Sequence, residues 1–184
     1  MSFFNRFFKT SKGRSNLLSL AGNEEDKFNE FMSDIKTNAD FLSMNEYFQH
    51  GDTTCLTHSI AVAYYSFAFI KKFRICCDER SLVRGALLHD YFLYDWHVAQ
   101  DGNNWHGFTH PKKALFNASK EFELNQIEAD IIKRHMFPLT PSLPKYKESA
   151  IVCLIDKFCS IFEIFKTSPY TFVRYKYVHT VQGI

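Results

Sequence analysis

No stretch of this 184-residue chain approaches the about 20 consecutive apolar residues that a membrane-spanning helix needs. Charge of one sign is lacking too, since 22 Lys and Arg stand against 20 Asp and Glu for a net charge of +2. So small an excess leaves no electrostatic footprint for nucleic acid or an anionic membrane. Cysteine has no framework pattern: Cys55, Cys76, Cys77, Cys153 and Cys159 are odd in number and contain no C-x-x-C. Each stands in an apolar context, which reads as reduced core residues of a cytoplasmic protein. Repeats and low-complexity tracts are missing. At the N-terminus, polar and charged residues interrupt Ser2-Phe3-Phe4-Asn5-Arg6-Phe7-Phe8-Lys9, so it does not read as a secretory leader.

What is present is apolar and aromatic: 46% hydrophobic residues, 17% aromatics, and 20 phenylalanines. These values and this length suit one domain with a real core. Residues 1–22 read as an arm that packs on the domain or on a second copy, with an interfacial anchor as the less favoured alternative. The domain is expected over 23–167, followed by a 168–184 extension. Helical spacing recurs at Phe28, Phe31, Ile35, Phe41 and Leu42, and again at Ile60, Tyr64 and Phe67. Gly51-Asp52-Thr53-Thr54 supplies a turn and a cap, Asp78 or Ser81 caps the next helix, and Pro111 is expected at the first position of another. Ile127, Ile131 and His135 share a helical face, as do Val152, Asp156, Cys159 and Glu163 on a last helix from about Lys147 to Lys166. The tail, Tyr170 to Val181, alternates aromatic, basic and β-branched residues and reads as a strand, a hairpin arm or extended chain. The predicted fold is all-α, a helical bundle with chemistry at converging helix ends.

Candidate chemistry centres on Leu87-Leu88-His89-Asp90, an apolar run ending in adjacent imidazole and carboxylate. His58 precedes it; His110, His135 and Asp156 follow, each at the edge of an apolar segment. Every one has an ordinary alternative: a core histidine for His58, helix-end packing for His110, a favourable dipole contact for His135. Asp156 is the least ordinary, because a carboxylate inside the Ile151–Phe165 run needs a cation or several donors. Together the six suit divalent manganese, iron, zinc, nickel or magnesium. Asp90 could bridge two ions about 3.5–4 Å apart, between His58/His89/Asp156 and His110/His135. His50 reads as a support behind the ligands, and His179 as uninvolved. The polar, aromatic stretch 91–109 is where substrate contacts would sit, with Asp95, Trp96, His97, Trp105 and His106 as candidates. Asp95 or His97 could protonate a leaving oxygen. Lys112, Lys113, Lys133 and Arg134 are the nearest cations in sequence for a phosphate.

The order H…HD…H…H…D, carried by His58-Ser59-Ile60-Ala61-Val62-Ala63, Leu87-Leu88-His89-Asp90 and Ile155-Asp156-Lys157, resembles the HD-domain superfamily of metal-dependent phosphohydrolases over about Phe48 to Phe165. The resemblance implies that His58, His89, Asp90 and Asp156 bind a first metal. His110-Pro111 and His135 are similar to the binuclear branch that includes HD-GYP phosphodiesterases. His89-Asp90-Tyr91-Phe92-Leu93-Tyr94-Asp95-Trp96-His97 and His106-Gly107-Phe108-Thr109-His110-Pro111 look like a group of small stand-alone bacterial HD proteins. Leu93 stands where HD-GYP proteins carry Lys, Met136-Phe137-Pro138-Leu139 replaces their Gly-Tyr-Pro stretch, and Thr54 replaces the Glu that supports a third metal. Two metals are therefore expected, and cyclic di-GMP is disfavoured as substrate. The implied activity is hydrolysis of a phosphate mono- or diester, a nucleotide or related small molecule, by a metal-bridging hydroxide held on Asp90. Alternatives are a di-iron HD-type oxygenase and a non-catalytic binding module. Nucleic acid is not an expected stable partner; a homo-oligomer is left open.

Overall fold

The computed structural model describes residues 18–95, 106–165 and 170–179. Among them are eight α-helices and one two-stranded ribbon, an all-α architecture as expected. Helix α1 (Gly22–Phe31) begins where the Ala21 N–H donates to the Glu24 carboxylate at 2.8 Å. It buries Phe28 against Tyr64, Phe67 and Tyr177, with ring centroids 5.3–6.1 Å apart. The helical spacing read across Glu24–Phe48 is broken in the structure into α1, α2 (Ala39–Ser43) and a 3₁₀ turn (Met44–Glu46). Asn38 explains the restart: its Oδ1 accepts the Phe41 N–H at 2.9 Å and so caps α2.

Strands β1 (Phe48–His50) and β2 (Thr53–Thr54) pair antiparallel around Gly51, whose φ of 57° is a left-handed conformation that glycine adopts without strain. Thr54 then caps α3 (Cys55–Phe73), its Oγ1 accepting the Thr57 N–H at 3.2 Å. Every residue of α3 from Cys55 to Ala68 is buried, so this helix is apolar all round and forms the hub of the bundle. It stops at Arg74, which turns left-handed. Of the two capping candidates for α4 (Glu79–Leu88) it is Asp78 that acts, accepting the Ser81 N–H at 2.9 Å.

Helix α5 (His106–Glu121) corrects one expectation. Pro111 lies inside it, not at its first position, because the helix already begins at His106. Gly107 lies close to Leu139: a Cβ there would stand 2.9 Å from Leu139 Cδ2. Asn125 opens α6 (Gln126–Arg134) with a reciprocal cap, accepting from the Ile127 and Glu128 N–H groups while Glu128 reaches back to its N–H. Helix α7 (Lys147–Phe165) closes the bundle against α3 and α6. Helix α4 runs between α3 and α6, and Gly85 sets its approach, since a Cβ there would fall 2.5 Å from Ile131 Cδ1. Ile131 is fully buried at that contact, worth about 1.5–3 kcal/mol.

The tail is a second correction. Residues 170–179 are not strand but a short α8 (Thr171–Val173) running into a π-type turn (Arg174–Val178). Its alternating composition favours a strand locally, yet Val173 and Tyr177 are buried one helical turn apart, and Tyr177 packs on Phe28 and Tyr64. Tertiary burial outweighs β propensity here. The cysteines are all free; Cys55, Cys153 and Cys159 are buried as expected, but Cys77 is partly exposed and Cys76 is at the surface. No helix among the described residues is long and apolar enough to cross a membrane.

Candidate metal centre

Helix ends deliver most of the candidate ligands. His58 lies in the first turns of α3, while His89 and His135 are the residues on which α4 and α6 terminate. His110 comes from α5 and Asp156 from the middle of α7. Asp90 follows His89 directly, and the chain beyond is pinned by Asn117, whose Nδ2 donates to the Tyr91 and Phe92 carbonyls at 3.2 and 3.1 Å. All six residues are buried and converge on one point.

Asp90 stands at the centre with its two oxygens facing two different imidazole pairs. Oδ2 lies 3.7 Å from His58 Nε2 and 3.3 Å from His89 Nε2. Oδ1 lies 3.2 Å from His110 Nε2 and 3.4 Å from His135 Nε2. Asp156 Oδ1 completes the first group, 3.1 Å from His58 Nε2 and 3.7 Å from His89 Nε2. Two sets, His58/His89/Asp156 and His89/Asp90/His135, each offer ligand atoms close enough together to hold a metal ion.

The imidazoles are oriented from behind. His89 Nδ1 is 2.7 Å from the Ala86 carbonyl, His135 Nδ1 is 2.8 Å from the Ile132 carbonyl, and His58 Nδ1 is 2.8 Å from Glu163 Oε1. An oxygen at that distance calls for the proton on Nδ1, which leaves the Nε2 lone pair pointing inward, the arrangement a metal-ligating histidine needs. His110 Nε2 and His135 Nε2 approach to 2.8 Å, a distance that two lone pairs tolerate only with a proton or a cation between them.

The electrostatics carry the same message. Three carboxylates, Asp90, Asp156 and Glu163, are buried together. Burial works against the charge of Asp90 and Asp156, but the imidazoles overcome it: His89, His110 and His135 hold Asp90 well below the usual carboxylate range, and His58 and His89 do so for Asp156. In the metal-free chain burial also works against a charged imidazole, yet Glu163 and Asp156 raise His58 and Asp90 lifts His89 to about 9. Burial prevails at His135, which drops to about 4 and stays neutral. Two inward atoms, His89 Nε2 and Asp90 Oδ1, have no hydrogen-bond partner, and neither has Glu163 Oε2 behind His58. A buried carboxylate oxygen or imidazole nitrogen left unpaired is costly, and divalent cations relieve that cost. The donor set therefore fits divalent metal.

Three supporting residues were not read from the sequence as part of the site. Gln49 donates Nε2 to Asp90 Oδ2 at 2.6 Å and accepts from Cys55 Sγ at 3.3 Å. Burial raises the Cys55 thiol far above its ordinary value, so it stays protonated and turns the Gln49 amide toward Asp90. Lys157 Nζ bridges the His135 carbonyl at 2.5 Å and Asp156 Oδ2 at 3.2 Å. Glu163 backs His58. Glu163 had a visible signal, a second carboxylate on the apolar face of Asp156, and Lys157 stood in the quoted motif. Gln49, on a strand, had none.

The remaining candidates scatter. Lys112 and Lys133 are exposed, Lys113 lies 4.3 Å over the Tyr94 ring, and Asp95 is half-buried. Arg134 is engaged away from the cluster, with Asp130 at 2.6 Å and the Leu143 carbonyl at 2.8 Å. Trp96, His97 and Trp105, and the side chains of His50 and His106, lie outside the described residues, as does the arm through residue 17.

The HD domain family model matches residues 55–161, more than half of the chain, and the protein belongs to the HD domain family. That superfamily consists of metal-dependent phosphohydrolases, and its domains bind divalent metals. No curated protein and no solved structure matches the chain.

Proposed function

We propose that this protein is a metal-dependent hydrolase of a phosphate monoester or diester, a small molecule such as a nucleotide, acting in the cytoplasm. The observation that carries the reading is Asp90, whose two oxygens face two separate imidazole pairs at 3.2–3.7 Å. His58, His89, Asp156 and Asp90 Oδ2 would hold one ion; His110, His135 and Asp90 Oδ1 would hold the other. Divalent ions bound there supply a water acidified toward neutrality and neutralise charge on phosphoryl oxygens. Asp90 keeps the two ligand groups in register. Lys157, one-third exposed and in contact with Asp156, joins Lys112, Lys133 and His106 as a candidate for the substrate's phosphate. Arg134 is a weaker candidate, being held by Asp130. Asp95 or His97, following the ligand pair, would return a proton to the leaving oxygen. The domain is taken as 23–167 with 168–184 as a C-terminal extension.

Elemental mass spectrometry on protein purified without chelator, wild type beside Asp90→Ala, tests the reading. Two equivalents in wild type, lost in the variant together with hydrolysis of nucleotide or phosphodiester probes, support it. Iron as the dominant metal, with oxygen uptake in place of hydrolysis, would move the chain to the oxygenase alternative. No metal retained or taken up would leave a binding module.

A further inference from the structure

Glu163 is the most deeply placed carboxylate near the centre: its side chain is 0% exposed, and it faces the His58 side chain, also 0% exposed. It comes from the far part of α7, 105 residues from His58 in sequence, and its Oε1 stands 2.8 Å from His58 Nδ1. Its other oxygen, Oε2, is buried with no hydrogen-bond partner. An ionised carboxylate is costly to bury and is not needed to fill space on a helix face otherwise lined by Val152, Ile155 and Cys159. His89 and His135, by contrast, rest their Nδ1 atoms on main-chain carbonyls, so a charged acceptor is not required merely to orient an imidazole here.

We infer that Glu163 is a positioning residue for the first metal site: it fixes His58 as the Nδ1–H tautomer and, by its charge, strengthens Nε2 as a ligand. The inference rests on the proposed metal reading and goes beyond it by making the two sites unequal. The His58 group has a carboxylate behind an imidazole, Gln49 on the oxygen of Asp90 that faces it, and Lys157 on Asp156. On the other side, Lys157 reaches only the main-chain carbonyl of His135, that imidazole has a neutral carbonyl behind it, and Asp90 Oδ1 has no hydrogen-bond partner. Glu163 therefore acts on one ion and leaves the other nearly untouched.

The test is a manganese(II) titration of full-length wild type, Glu163→Gln and Glu163→Leu against a chromophoric chelator. Imidazole ¹H–¹⁵N spectra of the zinc(II)-loaded proteins and metal-free thermal melts accompany it. Removing such a carboxylate partner typically weakens a metal site about tenfold to a hundredfold. The expected result is a loss of that size for one of two binding events in Glu163→Leu, with the other within about twofold of wild type. Glu163→Gln, which can still accept the Nδ1–H, should lie between and keep the His58 tautomer signal. Wild-type affinity for both ions in Glu163→Leu overturns the inference. So does equal weakening of both events accompanied by a lower metal-free melting temperature, which marks a structural role. Absence of any manganese or zinc uptake by wild type sinks the metal reading itself, and the positioning role with it.

Discussion

Helix α4 carries two buried charge clusters, one at its middle and one at its C-terminal end, and the two are built on opposite terms. At mid-helix Arg84 is 6% exposed, donating Nε to Glu128 at 2.7 Å, pairing Nη1 with Asp34 and reaching the Glu123 carbonyl with Nη2. Glu128 is matched again by the Asn125 N–H at 3.0 Å. At its C-terminus His89 and Asp90 enter a cluster where carboxylates gather and His89 Nε2, Asp90 Oδ1 and Glu163 Oε2 are left without partners. Both clusters bury ionisable groups. What separates a brace from a candidate active centre is unspent ligand capacity, since the first cluster closes on itself and the second converges on a point with lone pairs to spare.

The comparison breaks hardest at Asp90. Asp90→Ala should remove both metal equivalents and reduce turnover to background while the circular dichroism spectrum stays helical; retained turnover would put the chemistry elsewhere. The Arg84 cluster should behave in reverse. Arg84→Met leaves Glu128 buried without a countercharge, an effect of about 3–5 kcal/mol in urea unfolding, with metal stoichiometry per folded molecule unchanged. Adding Glu128→Leu should recover most of that loss; failure to recover would mean that Arg84 does more than neutralise Glu128.

Chelation sharpens the contrast further. With free metal at about 100 times Kd, wild type should gain about 2.7 kcal/mol of stability that EDTA removes, and Asp90→Ala should show no such difference. A smaller effect follows pH. His89 in the metal-free chain titrates near 9, raised from 6.5, because Asp90 and Asp156 outweigh the burial that opposes its charge. That raised value stabilises the metal-free fold fully below pH 6.5, and the contribution fades as pH climbs through about 9. A divalent ion must displace the proton, so its affinity should rise toward pH 9 by up to about tenfold per unit for each proton released. Isothermal titration in buffers of different ionisation enthalpy counts those protons, and a flat profile would contradict the charged His89. Smallest is Gln49→Leu. Losing its 2.6 Å donation to Asp90 should cost about 1 kcal/mol, roughly fivefold in affinity for the ion facing Oδ2.

Much of the centre was legible before folding was considered. The imidazoles and carboxylates that converge are the six named from their positions at the edges of apolar segments, because 3.6-residue periodicity assigns helix ends and faces without knowing what packs on them. The tail and the start of α5 were misread for a related reason. Alternating Tyr, Val and Phe favour a strand by local preference, and Pro111 favours a helix start. Burial of Tyr177 on Phe28, a contact between distant segments, reversed the first preference, and the second failed because the helix already begins at His106.

Residue type and order alone determined that this is a helical chain with neutral nitrogen and carboxylate oxygen donors suited to divalent ions. Only the tertiary structure decided how those donors divide. That Oδ1 and Oδ2 of Asp90 serve different histidine pairs, that Glu163 stands behind His58, and that Gln49 steadies Asp90 all depend on β1, α3, α4, α5, α6 and α7 meeting at one point. Periodicity places a residue on a face. A hydrogen bond between side chains 105 residues apart is set by where two faces meet, and that requires the packed core.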